Sequence, residues 1–159
     1  EFGFRGDIRH LAEGGLLPND RPHQLRVYGS YQFDSGVGLG AAAWVSSGRP
    51  LTPMAANPVY SRAGEIPEAP RAGGFVTEDG FAERTPVSWT VDLHAECAVA
   101  LARNRLLLLV DVFNLFDRQG VVTYDQNTEV AFGVPNPDFG RRTSYQPPRS
   151  VRLGVRFEF

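Results

Sequence analysis

The sequence predicts an all-β protein, an antiparallel transmembrane β-barrel segment of about five or six strands. Three observations predict it. Apolar residues recur at every second position through several stretches, the period of a strand with two unlike faces. The connections between those stretches alternate strictly between short and long. The face opposite the apolar one carries charges, and a dry interior would have to pair them, at roughly several kcal/mol for each one left over. A water-filled lumen removes that cost.

In 24–33, "QLRVYGSYQF", Leu25, Val27, Gly29, Tyr31 and Phe33 share one face; Gln24, Arg26, Tyr28, Ser30 and Gln32 share the other. "DSG" at 34–36 is a tight turn. In 37–47, Val37, Leu39, Ala41, Ala43 and Val45 oppose Gly38, Gly40, Ala42 and Trp44. Residues 48–86 hold six prolines with repeated Gly and Ala and read as a long irregular connection. Alternation resumes in 87–99, where Val87, Trp89, Val91, Leu93, Ala95, Cys97 and Val99 oppose Ser88, Thr90, Asp92, His94 and Glu96. A turn around Ala102-Arg103-Asn104 leads into 105–116, "RLLLLVDVFNLF". That run is nearly continuous, and its length and Asp111 fit a strand. Asn114 falls on its apolar parity, which an interfacial position or a bulge would resolve. A second long connection, 117–147, ends in Pro147-Pro148, and the last strand is 149–159. Residues 1–8 read as the end of an earlier strand.

Short turns at one end and long loops at the other characterise an outer-membrane barrel, with its periplasmic turns and external loops. Counted back from a periplasmic C-terminus, 48–86 and 117–147 both fall outside. On this reading the apolar face meets lipid, with Tyr31, Phe33, Trp89, Phe157 and Phe159 toward its ends. Arg26, Asp92, His94, Glu96, Asp111 and Arg156 then line the lumen. Exposed loops on a rigid wall carry recognition, so Tyr60, Phe75, Phe81, Tyr124, Phe132 and Tyr145 are candidate ligand contacts.

Other chemistry finds little support. The chain has 159 residues, enough for one domain over 1–159, and its net charge of −2 offers no basic field to nucleic acid. The single Cys97 allows neither an intrachain disulfide nor a cysteine zinc site. No run reaches the roughly 18 to 20 apolar residues of a spanning helix, and the opening "EFGF" lacks the basic start of a leader. Asp92, His94 and Glu96 lie at spacings of about 6.5 to 7 Å along one strand, too far apart to hold a metal without help. Gly36-x-Gly38-x-Gly40 has no following helix and no phosphate-binding Lys; it reads as a slender strand. Arg5-Gly6-Asp7 is a chance-level tripeptide. His10, His23 and His94 are scattered, with no nucleophile elbow. No catalytic residue and no cofactor is expected, and the chain does not read as an enzyme.

The closing segment, "RLGVRFEF", resembles the C-terminal β-signal by which the barrel-assembly machinery recognises bacterial outer-membrane proteins, carried here by Arg152, Gly154, Phe157 and Phe159. An edge strand of this kind pairs by β-augmentation. The segments "LPNDRPHQLRVYGSYQF", "SSGRPLT", "VDLHAE", "DVFNLFDRQ", "PNPDFG" and "PPRSVRLGVRFEF" resemble, in that order, the end of a TonB-dependent receptor of the Oar-like type with a carboxypeptidase-regulatory-like domain. The resemblance implies a barrel of about 22 strands around a plug, in the outer membrane of a bacterium. It also implies energised uptake of a large or scarce solute, with the TonB system reached through a region this chain lacks. Strands about 4.8 Å apart close into a barrel only at about eight, so the expectation is a C-terminal fragment. The alternatives are an outer-membrane adhesin or passive pore on the same barrel, and a soluble β-sandwich ligand-binding module.

Overall fold

The computed structural model describes residues 16–68, 72–101 and 104–159. The strand expected at 1–8, the Arg5-Gly6-Asp7 tripeptide, His10 and the turn residues Ala102 and Arg103 lie outside the described residues. Every regular element among the described residues is a strand, so the all-β class holds. In chain order these are β1 (Gln24–Gln32), β2 (Val37–Ser46), β3 (Met54–Ala55), β4 (Ile66–Pro67), β5 (Phe75–Thr77) and β6 (Gly80–Ala82). There follow β7 (Ser88–Leu101), β8 (Asn104–Phe113), β9 (Val121–Tyr124), β10 (Glu129–Ala131), β11 (Val134–Pro135), β12 (Arg142–Tyr145) and β13 (Ser150–Glu158).

One compact unit comprises His23–Ser46, Val87–Gly120 and Gln146–Phe159. It is an antiparallel five-stranded sheet in the order β1-β2-β7-β8-β13. Each strand lies beside its chain neighbour in that series, as short hairpins and long returns dictate. Gln24 pairs with Ser46 and Ser46 with Ser88, while Phe113 pairs with Ser150. The long segments therefore all join the sheet at one end. At the other end Phe33 N donates to Val37 O at 2.8 Å and Gly36 N to Phe33 O at 3.1 Å. Gly36 there has φ +83°, a conformation glycine adopts without steric cost. β8 stops at Phe113 rather than at 116, because Asn114 turns left-handed at φ +51°. β7 continues to Leu101, past the expected end at 99.

The second unit takes in residues 16–22, Ser47–Pro86 and Val121–Tyr145. It corrects the expectation of two irregular loops. β3 pairs with β4, β5 with β6, β10 with β11, and β12 with β9. The strands are short because prolines and turn residues interrupt the ladders. Met54 N donates to Gln126 O at 2.7 Å and Thr128 N to Met54 O at 2.9 Å, which ties the two long segments together. Arg49 and Thr85 exchange two further bonds, Thr85 N to Arg49 O at 2.9 Å and Arg49 N to Thr85 Oγ1 at 3.0 Å. A side chain at the adjacent Gly48 would begin 1.6 Å from the Thr85 carbonyl oxygen, so only glycine fits. Leu51, Phe75 and Tyr124 form the core, with Ala82, Val121 and Phe139 packed on it. The Phe75 and Phe139 rings lie 4.7 Å apart.

Candidate functional site

The five-stranded sheet has two unlike faces, and its apolar face is bare. Register puts Tyr31, Leu39, Ala95, Val110 and Leu153 in one row across the five strands. Gly29, Ala41, Leu93, Val112 and Val151 form the next. Leu25 is 59% exposed, Leu153 75% and Val155 71%. Aromatics mark its two ends: Tyr31 and Phe33 meet edge-on at 4.7 Å and Phe157 and Phe159 at 6.3 Å, while Trp89 meets Phe116 at 5.7 Å. Along β7 the apolar positions run from Trp89 to Val99. That run is about 34 Å at strand rise, or about 25 Å in height at a 35–45° tilt, the height of the apolar band of a membrane barrel.

The opposite face is polar and internally paired. Ser30, Gly40, His94, Asp111 and Arg152 stand in one cross-strand row. His94 Nδ1 lies 2.7 Å from Asp111 Oδ1, and Arg152 Nε donates to Asp111 Oδ2 at 2.9 Å. His94 Nε2 is 3.7 Å from Glu96, and Arg156 is 3.2 Å from Glu158. The Arg152 guanidinium also sits 5.4 Å over the Phe113 ring. Gly38 is bare for a reason: a Cβ there would meet Gln32 Oε1 at 2.5 Å and Glu96 Cγ at 2.7 Å. Arg26 stands exposed on edge strand β1, opposite Trp44. Asp92 turns instead to the backbone, accepting from Asn114 N at 2.8 Å. Among the described residues no group of three or more His, Cys, Asp or Glu is placed to hold a metal ion.

Sequence reasoning missed the role of Asn114. It is 4% exposed and lies beyond the end of β8, so strand parity does not govern it. Its side chain donates to Pro147 O at 2.7 Å and Arg118 O at 3.0 Å, and accepts from Arg118 N at 3.1 Å. Asp117, also left-handed at φ +52°, accepts from Arg149 N at 2.8 Å. "DVFNLFD" is therefore a turn that binds the start of β7 and the exit of β8 to the start of β13. The signal available was an Asn set directly between two apolar pairs, Val112-Phe113 and Leu115-Phe116, a residue type that tolerates the left-handed region.

In the second unit the six aromatic candidates divide. Tyr60, Phe81, Phe132 and Tyr145 are exposed, but Phe75 and Tyr124 are buried and pack the core. They are not surface residues. The Tyr124 hydroxyl donates to Asp79 Oδ2 at 2.7 Å, and Arg142 grips both Asp79 oxygens, with Nε at 3.1 Å from Oδ2 and Nη2 on Oδ1. Arg142 and then Tyr124 hold the Asp79 carboxyl below its usual range. Burial, helped by the Asp79 charge, pushes the Tyr124 phenol up to about 12.

β13 pairs with β8 from Ser150 to Glu158, and its other edge meets no described strand. Of the four residues expected to carry an assembly signal, Arg152 is tied to Asp111, Gly154 lies under Leu109, and Phe157 and Phe159 are exposed. No family model matches the chain, and no solved structure matches it. It is similar to the TonB-dependent transporter Oar of Myxococcus xanthus, 29% identical over 195 residues. The match covers 96% of this chain and 18% of that protein's length.

Proposed function

We propose that the five-stranded sheet is a segment of an outer-membrane barrel wall, in a TonB-dependent transporter that takes up a large or scarce solute. The chemistry is binding and passage; no bond is made or broken. The bare apolar face carries this reading. Removing apolar surface from water is worth about 25 cal/mol per Å², and a sheet that leaves side chains such as Leu153 and Val155 open needs another solvent for them. Lipid is that solvent, the terminal aromatics suit its interfaces, and the charged face suits a wet lumen. Similarity to a TonB-dependent transporter supports the same reading. The free edge of β13 suits recognition by the barrel-assembly machinery through strand pairing. The partner at the inner membrane, the TonB system, would act through parts of the protein beyond this chain.

The test is lipid-phase quenching. Single cysteines, in a Cys97→Ser background, are placed at Leu25, Leu93 and Leu153 and at Arg26, Asp92 and Arg152, labelled with a fluorophore and reconstituted in brominated lipid. The first three are expected to be quenched and the second three not. The reverse pattern, or equal quenching of both sets, defeats the barrel wall. A soluble module predicts a monodisperse monomer without detergent. Uptake itself is tested by deleting TonB in the host and measuring solute accumulation.

A further inference from the structure

We propose that the second unit contains a pocket for a carboxylate carried on a short apolar body, built around Arg49. A cavity of about 210 Å³ is lined by Arg49, Asn19 and Gln126 together with Pro50, Leu51 and Met54 among others, and no Asp or Glu lines it. Drug-sized sites run to about 300 to 1,000 Å³, so this one suits a group of single-residue size. Four other arginines of the same unit meet acids. Arg84 meets Asp20 at 2.7 Å, Arg62 meets Glu65 at 3.5 Å, Arg141 meets Asp138 at 2.5 Å, and Arg142 meets Asp79.

Arg49 has no such acid among the described residues. Its Nη2 makes only two long contacts, to Thr123 Oγ1 at 3.2 Å and Val122 O at 3.4 Å. Its Nε and Nη1 donors remain for a ligand, in the fork that a carboxylate fills with two bonds. Arg21 stands near enough that burial and the Arg49 charge together lower the pKa of its guanidinium. A guanidinium with no acid among the described residues makes a site that an anion stabilises. Gln126 adds to this: its Oε1 accepts from Thr52 N at 2.9 Å, which leaves its amide N–H groups as donors. Leu51, Met54 and Pro50 supply the apolar wall beside them. A donor-rich end next to an apolar wall matches an acid such as the C-terminal residue of a peptide. The inference stands on this unit alone, so it holds or fails independently of the membrane reading.

The test is calorimetric titration of the purified protein in detergent with N-acetyl-L-leucine, with its uncharged amide, and with inorganic phosphate. The acid is expected to bind, and the amide at least about tenfold more weakly. Arg49→Gln is expected to cost the acid a similar factor. Gln126→Glu keeps the oxygen that Thr52 N–H needs but puts a negative charge in the pocket, and it is expected to abolish binding of the acid at an unchanged melting temperature. Absence of binding, equal binding of acid and amide, or indifference to Gln126→Glu overturns the pocket. Tighter binding of phosphate than of N-acetyl-L-leucine overturns the assignment to a carboxylate with an apolar body.

Discussion

The Asn114 side chain donates to the Pro147 carbonyl at 2.7 Å, which joins the residue leaving β8 to the chain about to enter β13. With its bonds to Arg118 and its N–H on Asp92, one buried amide fixes three strand ends. A buried polar group that loses its partner costs about 1 to 3 kcal/mol, and a left-handed alanine adds about 1 kcal/mol of strain. Asn114→Ala is therefore expected to destabilise the protein by roughly 2 to 4 kcal/mol. Asn114→Gly, which relieves the strain but not the lost bonds, should fall between. Urea unfolding in detergent measures both; an alanine variant as stable as the parent would show that the turn does not hold the strands.

The same residue shows how far the sequence could be read. Strand alternation was legible because antiparallel register gives every second residue the same face, a pattern that shows in the long strands other than β8, whose apolar run is nearly continuous. Three residues past Asp111 the rule fails, since a positive φ rotates the chain off the strand and parity then carries no meaning. The second unit was illegible for another reason. Its strands are two to four residues long, too short for a period to show, and its order comes from non-local bonds such as Met54 to Gln126. Nothing in the residue types alone separates buried Phe75 and Tyr124 from exposed Phe81 and Tyr145. Arg49 likewise reads as any arginine until the fold shows it without an acid among the described residues.

The two faces of the sheet make opposite demands on a new charge. Leu93 lies near the middle of the apolar run of β7, in register with Ala41 and Val112. Leu93→Arg is expected to cost about 2 to 4 kcal/mol, the range for a cation at the bilayer midplane on a lipid-facing strand position. Ala42 stands on the polar face beside Asp92, and Ala42→Arg should cost less than about 1 kcal/mol, as exposed charges do. Equilibrium unfolding of the two variants in lipid vesicles gives the ranking, and a reversed order would exchange the faces.

Phe159 is fully exposed at the end of a strand of which one edge meets no described strand. Among the described residues its ring contact is with Phe157, and on the proposed reading its value lies in recognition by the assembly machinery. Replacing it with Asp is expected to leave the purified, refolded protein as stable as the parent while lowering its surface abundance in cells severalfold. Surface labelling of intact cells measures the second quantity and thermal melting the first. Equal surface abundance would remove the closing strand from any assembly role.

The Asp79, Arg142 and Tyr124 cluster makes the second unit sensitive to pH at both extremes. A free phenol titrates near pH 10, and Tyr124 is raised to about 12. The folded state thus holds this proton more tightly than the unfolded chain does. The resulting stabilisation is whole below about pH 10 and disappears as pH climbs through about 12. Asp79 behaves the opposite way. Its carboxyl is held below the free value of about 3.9, so its contribution is whole above about pH 4 and fades as pH falls through the folded value. A phenolate absorbance titration of the parent minus Tyr124→Phe is expected to show the missing chromophore ionising near pH 12. Asp79→Asn should bring that midpoint down, leaving the part that burial supplies. The difference in melting temperature between the parent and Asp79→Asn should narrow on acidification below pH about 4. A Tyr124 signal near pH 10 would mean that the hydroxyl is neither buried nor bound to the carboxylate, and the cluster could not then brace β9 against β12.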